Sequence, residues 1–271
     1  MAGRSLERLD KLLVERGLAS SRSEAGELIK RGRVRVLGFA REKPAAMFDP
    51  DAAIEVDRDE RRWVSRGARK LLKAVELWNV DPKGLDCADI GASTGGFTQV
   101  LLEYGASRVA SVDVGYGQLA WELRNDPRVK VMERTNARLV SPGDIGWLSA
   151  IITVDASFIS LRTLIPNIMR LLSPGGVIIA LVKPQFEVGR ERVGKGVVRD
   201  PALHAEVLGT LFGYFHDECG LSLAGVTFSP IRGPEGNIEF IFLLTTNTNA
   251  ILDRDCFDFA AIVGEAHSEL R

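Results

Sequence analysis

The sequence predicts an α/β protein: a doubly wound sheet of seven strands fills most of the chain and is preceded by a small α+β domain. Three features of the 271 residues carry this expectation. From residue 85 onward, short apolar runs alternate with stretches of helical spacing, the pattern of strands joined by crossover helices. The last two runs are joined by a Ser-Pro…Gly-Pro-Glu-Gly connection suited to an antiparallel hairpin. The opening residues differ in composition: residues 1–44 hold eleven Lys or Arg against six Asp or Glu, on a chain whose net charge is −1. A basic piece appended to a neutral protein points to a nucleic-acid reader.

In the first domain, Leu6, Leu9, Leu12 and Leu13 recur at helical spacing and stop at Gly17. Ser21 and Glu24 form a capping box for a second helix, whose apolar side is Leu28 and Ile29 and which ends at Gly32. Short alternating strands are expected at Arg33–Val36 and Ala52–Val56. Arg22, Lys30, Arg31, Arg33 and Arg35 then form either an ordinary solvated face or a surface for nucleic-acid phosphates. This order of helix, Ser-Arg-Ser-Glu-Ala and Leu-Ile-Lys-Arg-Gly-Arg-Val-Arg-Val resembles the small RNA-binding domain of ribosomal protein S4 and of several RNA-modifying enzymes. It covers residues 5 to about 58. Domain limits are therefore drawn at 1–58, with a charged linker at 59–66 and the sheet domain at 67–271. Trp63, beside the boundary, reads as interface packing, and a helix follows to about Trp78 carrying Lys70 and Lys73.

Strands of the second domain are expected at Leu85–Ile90, Arg108–Asp113, Val129–Met132, Ala150–Asp155, Val177–Val182, Leu221–Phe228 and Ile238–Leu244. The first is followed by Gly91-Ala-Ser-Thr-Gly-Gly-Phe-Thr98, a glycine turn leading into a helix. In an open parallel sheet ligands gather at such a place. Gly91 to Gly96 and Thr98 fit the spacing of a phosphate loop, but Phe97 stands where that loop needs Lys. The dinucleotide fingerprint is absent too, because Ala92 and Ser93 follow Gly91. What remains is Asp89 before the loop and Asp113 at the end of the next strand. Carboxylates so placed suit S-adenosylmethionine, whose ammonium and ribose hydroxyls both need acceptors.

Four ionisable residues stand where propensity alone does not put them. Asp155 and Lys183 end the fourth and fifth strands, Glu239 interrupts an apolar strand, and Lys70 lies on the helix ahead of the sheet. Singly, each has the alternative of a surface charge or a structural ion pair. Cys87, Cys219 and Cys256 are few, odd in number and in no pattern with His204, His216 or His267, so reduced thiols and no metal are expected. No run reaches the ~20 apolar residues of a membrane span, and no apolar signal region opens the chain, so a cytoplasmic location is expected.

Over nearly its whole length the chain resembles the TlyA (hemolysin A) family of ribosomal RNA 2′-O-methyltransferases. The motifs are Trp63-Val-Ser-Arg-Gly-Ala-Arg-Lys, Gly91-Ala-Ser-Thr-Gly-Gly-Phe-Thr, Asp113-Val-Gly-Tyr-Gly-Gln-Leu-Ala-Trp, Arg134-Thr-Asn-Ala-Arg, Ser157-Phe-Ile-Ser-Leu, Val182-Lys-Pro-Gln-Phe-Glu-Val-Gly and Gly236-Asn-Ile-Glu-Phe. The resemblance implies a class I (Rossmann-like) methyltransferase domain and a Lys-Asp-Lys-Glu catalytic tetrad, which falls on Lys70, Asp155, Lys183 and Glu239. It implies an S-adenosylmethionine site at Asp89, Gly91, Ala92, Ser93, Thr94, Gly95, Gly96, Phe97, Thr98, Asp113, Val114, Asn136 and Asp155. It also implies a linker at Arg62-Trp63-Val64 that couples RNA recognition to cofactor binding. Arg66 and Arg134 join the RNA candidates. So do Arg190 and Arg192, on a glycine-rich basic loop from Phe186 to Arg199 expected to close on the RNA backbone. The implied partner is ribosomal RNA within ribosomal subunits, with cytidine as target.

Two other classes compete. A pore former finds no spanning segment or barrel-like strand series in the sequence. A non-catalytic RNA binder has no reason to keep the tetrad. A base-directed enzyme would more naturally carry Asn/Asp-Pro-Pro-Tyr or a Cys nucleophile after the fourth strand, where Asp155-Ala-Ser-Phe stands.

Overall fold

The structure is a computed structural model that describes residues 6–30, 32–41, 43–56, 63–193, 196–247 and 257–270. Arg31, Arg62 and Lys195, most of the charged linker, Cys256 and the side chain of Arg190 lie outside the described residues. The chain divides into two compact units, Met1–Arg62 and Trp63–Arg271.

In the first unit, β1 (Glu7–Arg8), α1 (Leu9–Glu15) and α2 (Arg22–Lys30) are followed by β2 (Val34–Val36), β3 (Phe39–Ala40), β4 (Met47–Phe48) and β5 (Ile54–Val56). β1 pairs with β4, and β2 lies between β3 and β5, all antiparallel. Leu9, Leu13, Ala25, Ile29, Val34 and Val36 form the core, while Leu6 stays exposed ahead of α1. The cap of α2 is built from more residues than the sequence suggested. Ser21 Oγ accepts the amide of Glu24 at 3.2 Å, and the Glu24 carboxylate receives the amide and hydroxyl of Ser20. Asp10 is buried between Arg8 and Arg22, at 2.8 and 3.0 Å, and these guanidinium groups hold its carboxyl far below the usual range despite its burial.

The second unit runs α3 (Ala68–Leu77), β6 (Asp86–Ile90), α4 (Gly96–Glu103), β7 (Arg108–Val112), α5 (Trp121–Arg124), β8 (Val129–Met132), α6 (Pro142–Ile145), β9 (Ser149–Val154), α7 (Leu161–Ile168), β10 (Leu172–Val182), α8 (Pro201–Asp217), β11 (Ser222–Phe228), β12 (Phe240–Thr245) and α9 (Phe259–Glu269). All seven expected strands form one sheet in the order β11-β12-β10-β9-β6-β7-β8. β12 runs antiparallel between β10 and β11, while the remaining pairs are parallel. This is the layout of a class I methyltransferase. β10 starts earlier than expected, because Leu172 pairs with Ser149 before the register shifts across Ser-Pro-Gly-Gly to Val177.

Alternation along the strands divides the core into two layers. Ile90, Val112, Val154, Val182, Phe240 and Phe242 meet α7, α8 and α9 on one face. Cys87, Val109, Ile151, Leu181, Ile241 and Leu243 meet α3 and α4 on the other. Among the described residues, no helix is long and apolar enough to cross a membrane.

Candidate active site

Strand register brings the site together. Val154 of β9 lies beside Ile90 of β6, and Val182 of β10 lies opposite Phe240 of β12. The residues just past these positions, Asp155, Gly91 and Lys183, and Glu239 just before Phe240, therefore meet at one sheet edge. Lys70 reaches them from α3.

Their charges form a chain. Lys183 Nζ lies 2.6 Å from Asp155 Oδ1, Lys70 Nζ lies 3.6 Å from Asp155 Oδ2, and Lys70 Nζ lies 2.6 Å from Glu239 Oε2. Lys70, Lys183 and Glu239 are buried and Asp155 is partly open, its side chain 21% exposed. Burial alone would raise the Asp155 carboxyl, but the ammonium groups of Lys183 and Lys70 outweigh it and hold the group below its ordinary value. Two positive and two negative groups thus neutralise one another out of water, the condition under which buried charges are tolerated. Gly233 allows the approach of its loop: a Cβ there would lie 2.6 Å from Glu239 Oε1.

Asp155 lines a cavity of about 440 Å³, together with Gly91, Ser93, Asp113, Val114, Asn136 and Ser157. Such a volume suits a nucleoside-sized ligand. Ser93 adopts φ +49, and its amide donates to Asp113 Oδ2 at 2.8 Å, while the Gly115 amide donates to Oδ1 at 2.6 Å. Each oxygen of Asp113 still has a lone pair for a ribose hydroxyl. Val112, Val114, Ile159 and Leu164 give this cavity apolar walls for an adenine ring. A second cavity of about 180 Å³ touches Arg66, Lys70, Ala92, Thr94, Gly96, Phe97 and again Asp155. These donors, apolar walls and volume fit S-adenosylmethionine.

Three expected cofactor residues face neither cavity. Asp89 is fully buried, its oxygens accepting the Thr98 amide (2.8 Å), the Thr98 hydroxyl (2.7 Å) and the Thr153 hydroxyl (3.0 Å). Burial pushes its carboxyl up to about 6, with the hydroxyl donors opposing. Asp89 therefore ties β6 to α4 and β9 and is not the direct acceptor expected for the ammonium. Thr98 is buried with it, bonded also to Ser111 at 2.8 Å. Gly95 turns at φ +97, where a Cβ would strike the side chains of Leu119 and Leu123. Gly91, by contrast, lines both cavities: at φ +84, a Cβ would fall 2.7 Å from the Asp155 carbonyl oxygen.

Of the expected linker, Trp63 and Val64 pack into the larger unit's core, and the Val64 amide donates to Gln99 Oε1 at 2.8 Å. Ser65 leans on Gly96 so closely that a Cβ at Gly96 would strike its hydroxyl. Lys73 lies 3.5 Å from the Phe228 ring centroid, and burial lowers its pKa. Arg134, at φ +50, stacks over Tyr116 at 4.1 Å. Arg192 pairs with Glu206 at 2.5 Å and Lys30 with Glu27 at 3.8 Å, whereas Arg22 serves Asp10.

Two residues of the quoted motifs gain roles that their spacing did not announce. Ser157 Oγ accepts a hydrogen bond from Lys183 Nζ at 3.0 Å, a second hold on that lysine. Glu187 is buried where it accepts the Ser160 hydroxyl (2.6 Å) and the Leu161 amide (2.8 Å), pinning the segment after Lys183 to the start of α7. Burial raises its carboxyl. Among the described residues, no group of three or more His, Cys, Asp or Glu is placed to hold a metal ion.

Comparison with known proteins bears on the geometry directly. Residues 63–246 match the FtsJ-like methyltransferase family model, and residues 7–38 match the S4 domain. The chain is 50% identical over 247 residues to the 16S/23S rRNA (cytidine-2′-O)-methyltransferase TlyA of Mycobacterium tuberculosis, covering 90% of this chain and 92% of that one. It is 38% identical over 236 residues to Hemolysin A of Brachyspira hyodysenteriae, covering 86% and 98% respectively. A solved structure described as a hemolysin, from Streptococcus thermophilus, superposes with a TM-score of 0.75 at 40% identity and 98% coverage of both chains.

Proposed function

The chain belongs to the TlyA (hemolysin A) family, whose methyltransferase part is FtsJ-like, and from that membership we propose that it 2′-O-methylates cytidine ribose in ribosomal RNA. The substrate is RNA of the large subunit and, as the name of the Mycobacterium tuberculosis relative implies, also of the small one. The S4 domain, the basic residues Lys30, Arg33 and Arg35, and Arg66, Arg134, Arg190 and Arg192 are the surfaces offered to the RNA. The protein works in the cytoplasm, where ribosomal subunits are made.

The observation that carries this reading is the Lys183–Asp155–Lys70–Glu239 chain on the wall of the cavity that suits the methyl donor. S-adenosylmethionine, when bound, supplies a methyl group on a sulfonium. The protein's own task is the poor nucleophile, a ribose hydroxyl barely ionised at neutral pH. Lys183 is the residue assigned to that hydroxyl: as the neutral amine it would accept the proton, and as the ammonium it would hold the developing alkoxide while the proton passes to a carboxylate such as Asp155 or to water. Ser157 and Asp155 fix the direction of the Lys183 ammonium, and Glu239 does the same for Lys70, so that the positive groups need not reorganise during reaction. Asp113, Val114 and Asn136 would hold the adenosine, and Gly91, Ala92, Ser93, Thr94, Gly96 and Phe97 would bring backbone close to the donor's amino-acid end.

The test is transfer of labelled methyl to isolated large and small ribosomal subunits, followed by mapping of alkali-resistant bonds, since a methylated 2′-oxygen cannot attack the adjoining phosphate. Lys183→Ala is expected to abolish transfer, with S-adenosylmethionine still binding by calorimetry. Label recovered on a base, or turnover retained in Lys183→Ala, overturns the assignment.

A further inference from the structure

The segment after Lys183 carries Arg190, Arg192 and Arg199, and where it returns to the sheet edge its backbone meets the side chain of Asn237. Asn237 is 1% exposed. Its Oδ1 accepts the Val198 amide at 2.9 Å, and its Nδ2 donates to the Gly196 carbonyl at 2.9 Å. One amide group therefore satisfies a donor and an acceptor of the returning backbone. Its own carbonyl accepts the Gly233 amide at 2.9 Å, and Gly233 is the residue that lies against Glu239 Oε1. Two residues on, Glu239 pairs with Lys70, and its carbonyl accepts the Ser229 amide at 2.8 Å. At the segment's other end, Lys183 itself belongs to the tetrad, and Glu187 pins the next turn to α7.

The basic segment is thus closed on the tetrad at both ends, through Lys183 at its start and through Asn237 at its finish. We propose that Asn237 is a positioning residue that makes the placement of Glu239, and through it of Lys70, depend on where the basic segment lies. The inference rests on the methyltransferase reading above. RNA phosphates that draw the segment into place would then also set the tetrad, so that RNA binding energy raises the rate of the chemical step in addition to affinity. Carriage by a hydrogen-bonded clasp is the physical route here: moving Gly196 and Val198 either takes Asn237 with them or strands a buried amide and a half-buried carbonyl. Asn237 contacts neither cavity and touches no reacting group.

The experiment uses the full-length protein with purified ribosomal subunits under single-turnover conditions, comparing wild type with Asn237→Asp and Asn237→Ser. Asn237→Asp keeps the acceptor for Val198 but places an oxygen against the Gly196 carbonyl, and Asn237→Ser is too short to span both. We expect the maximal rate at saturating subunit to fall roughly 10- to 100-fold in both variants. S-adenosylmethionine affinity by calorimetry should remain within about twofold. Arg199→Glu, which alters the segment's own charge, is expected to slow wild type yet cost less in the Asn237→Asp background, because the route it acts through is already cut. Strictly additive losses, an unchanged maximal rate, or unfolding of both Asn237 variants by circular dichroism would each overturn the proposal. Failure of the wild type to methylate ribosomal RNA would instead sink the functional reading itself, so the two are separable.

Discussion

Asp89 and Asp155 end neighbouring strands of one sheet, and their surroundings drive them in opposite directions. Asp89 meets only neutral donors, two hydroxyls and an amide, and burial prevails: its carboxyl rises to about 6. Asp155 is more open and meets two ammonium groups, which overcome burial and hold it low. Burial sets the sign of a carboxyl's shift only until a full opposite charge comes within about 4 Å. One aspartate of this edge therefore works as a structural tie and the other as a charge in the candidate site.

The comparison breaks most visibly at Asp155. Asp155→Asn leaves Lys70 and Lys183 facing each other without the carboxylate between them. We expect single-turnover transfer to fall roughly 1,000-fold and stability to fall by about 3 kcal/mol, the order found when a buried ion pair loses a partner. Chemical denaturation and methyl transfer measure the two losses. Next comes Gly91→Ala, which forces a side chain into left-handed backbone and against the Asp155 carbonyl. A destabilisation of about 2–4 kcal/mol is expected, with weaker S-adenosylmethionine binding by calorimetry, because Gly91 lines both cavities beside Asp155.

Asp89→Asn is expected to cost far less, since an amide keeps the acceptor for Thr98 and can donate to Thr153. Its effect lies in the pH dependence. The folded state holds the Asp89 proton more tightly than the unfolded chain, so this group's stabilisation is full below its ordinary value of 3.8 and is lost as pH rises to about 6. The variant lacks that loss. Relative to wild type it should therefore gain stability between pH 4 and 6, by up to about 3 kcal/mol, and then run parallel, as followed by denaturation at each pH. Smallest of all, Arg192→Ala removes a surface pair with Glu206. The melting temperature should not move, while RNA affinity weakens and its salt slope falls by about one.

Much of this edge was legible in the sequence because charges at the ends of apolar strands are conspicuous. Asp155 and Lys183 stood out by that signal and Glu239 by interrupting an apolar strand, Lys70 on its helix was grouped with them as the four of the family's tetrad, and Val129–Met132 was found with its observed bounds. Asp89 was misjudged for the same reason: spacing marks a carboxylate at a strand end but not which way it faces. Thr98 and Thr153, which turn it inward, come from a following helix and a strand more than sixty residues away. Ser157 and Asn237 were passed over because uncharged polar residues in loops carry no pattern, and their partners are set only by tertiary contact. The strands β1, β3 and β4, two residues each, are too short to show alternation. Of the α2 cap, the Ser21 half was legible, while the share taken by Ser20 was not.

The place of β12 has a consequence for how the protein is made. Both neighbours of this strand, β10 and β11, precede it in the chain, so it must slide into a gap between strands synthesised earlier. Until then the long apolar β10 presents an open edge, the kind that pairs with the wrong chain. The residue just before β12 is Glu239, the last member of the charge cluster. Completing the sheet and completing the charge cluster are therefore one event, and a newborn chain that has not yet closed this edge has not assembled the cluster.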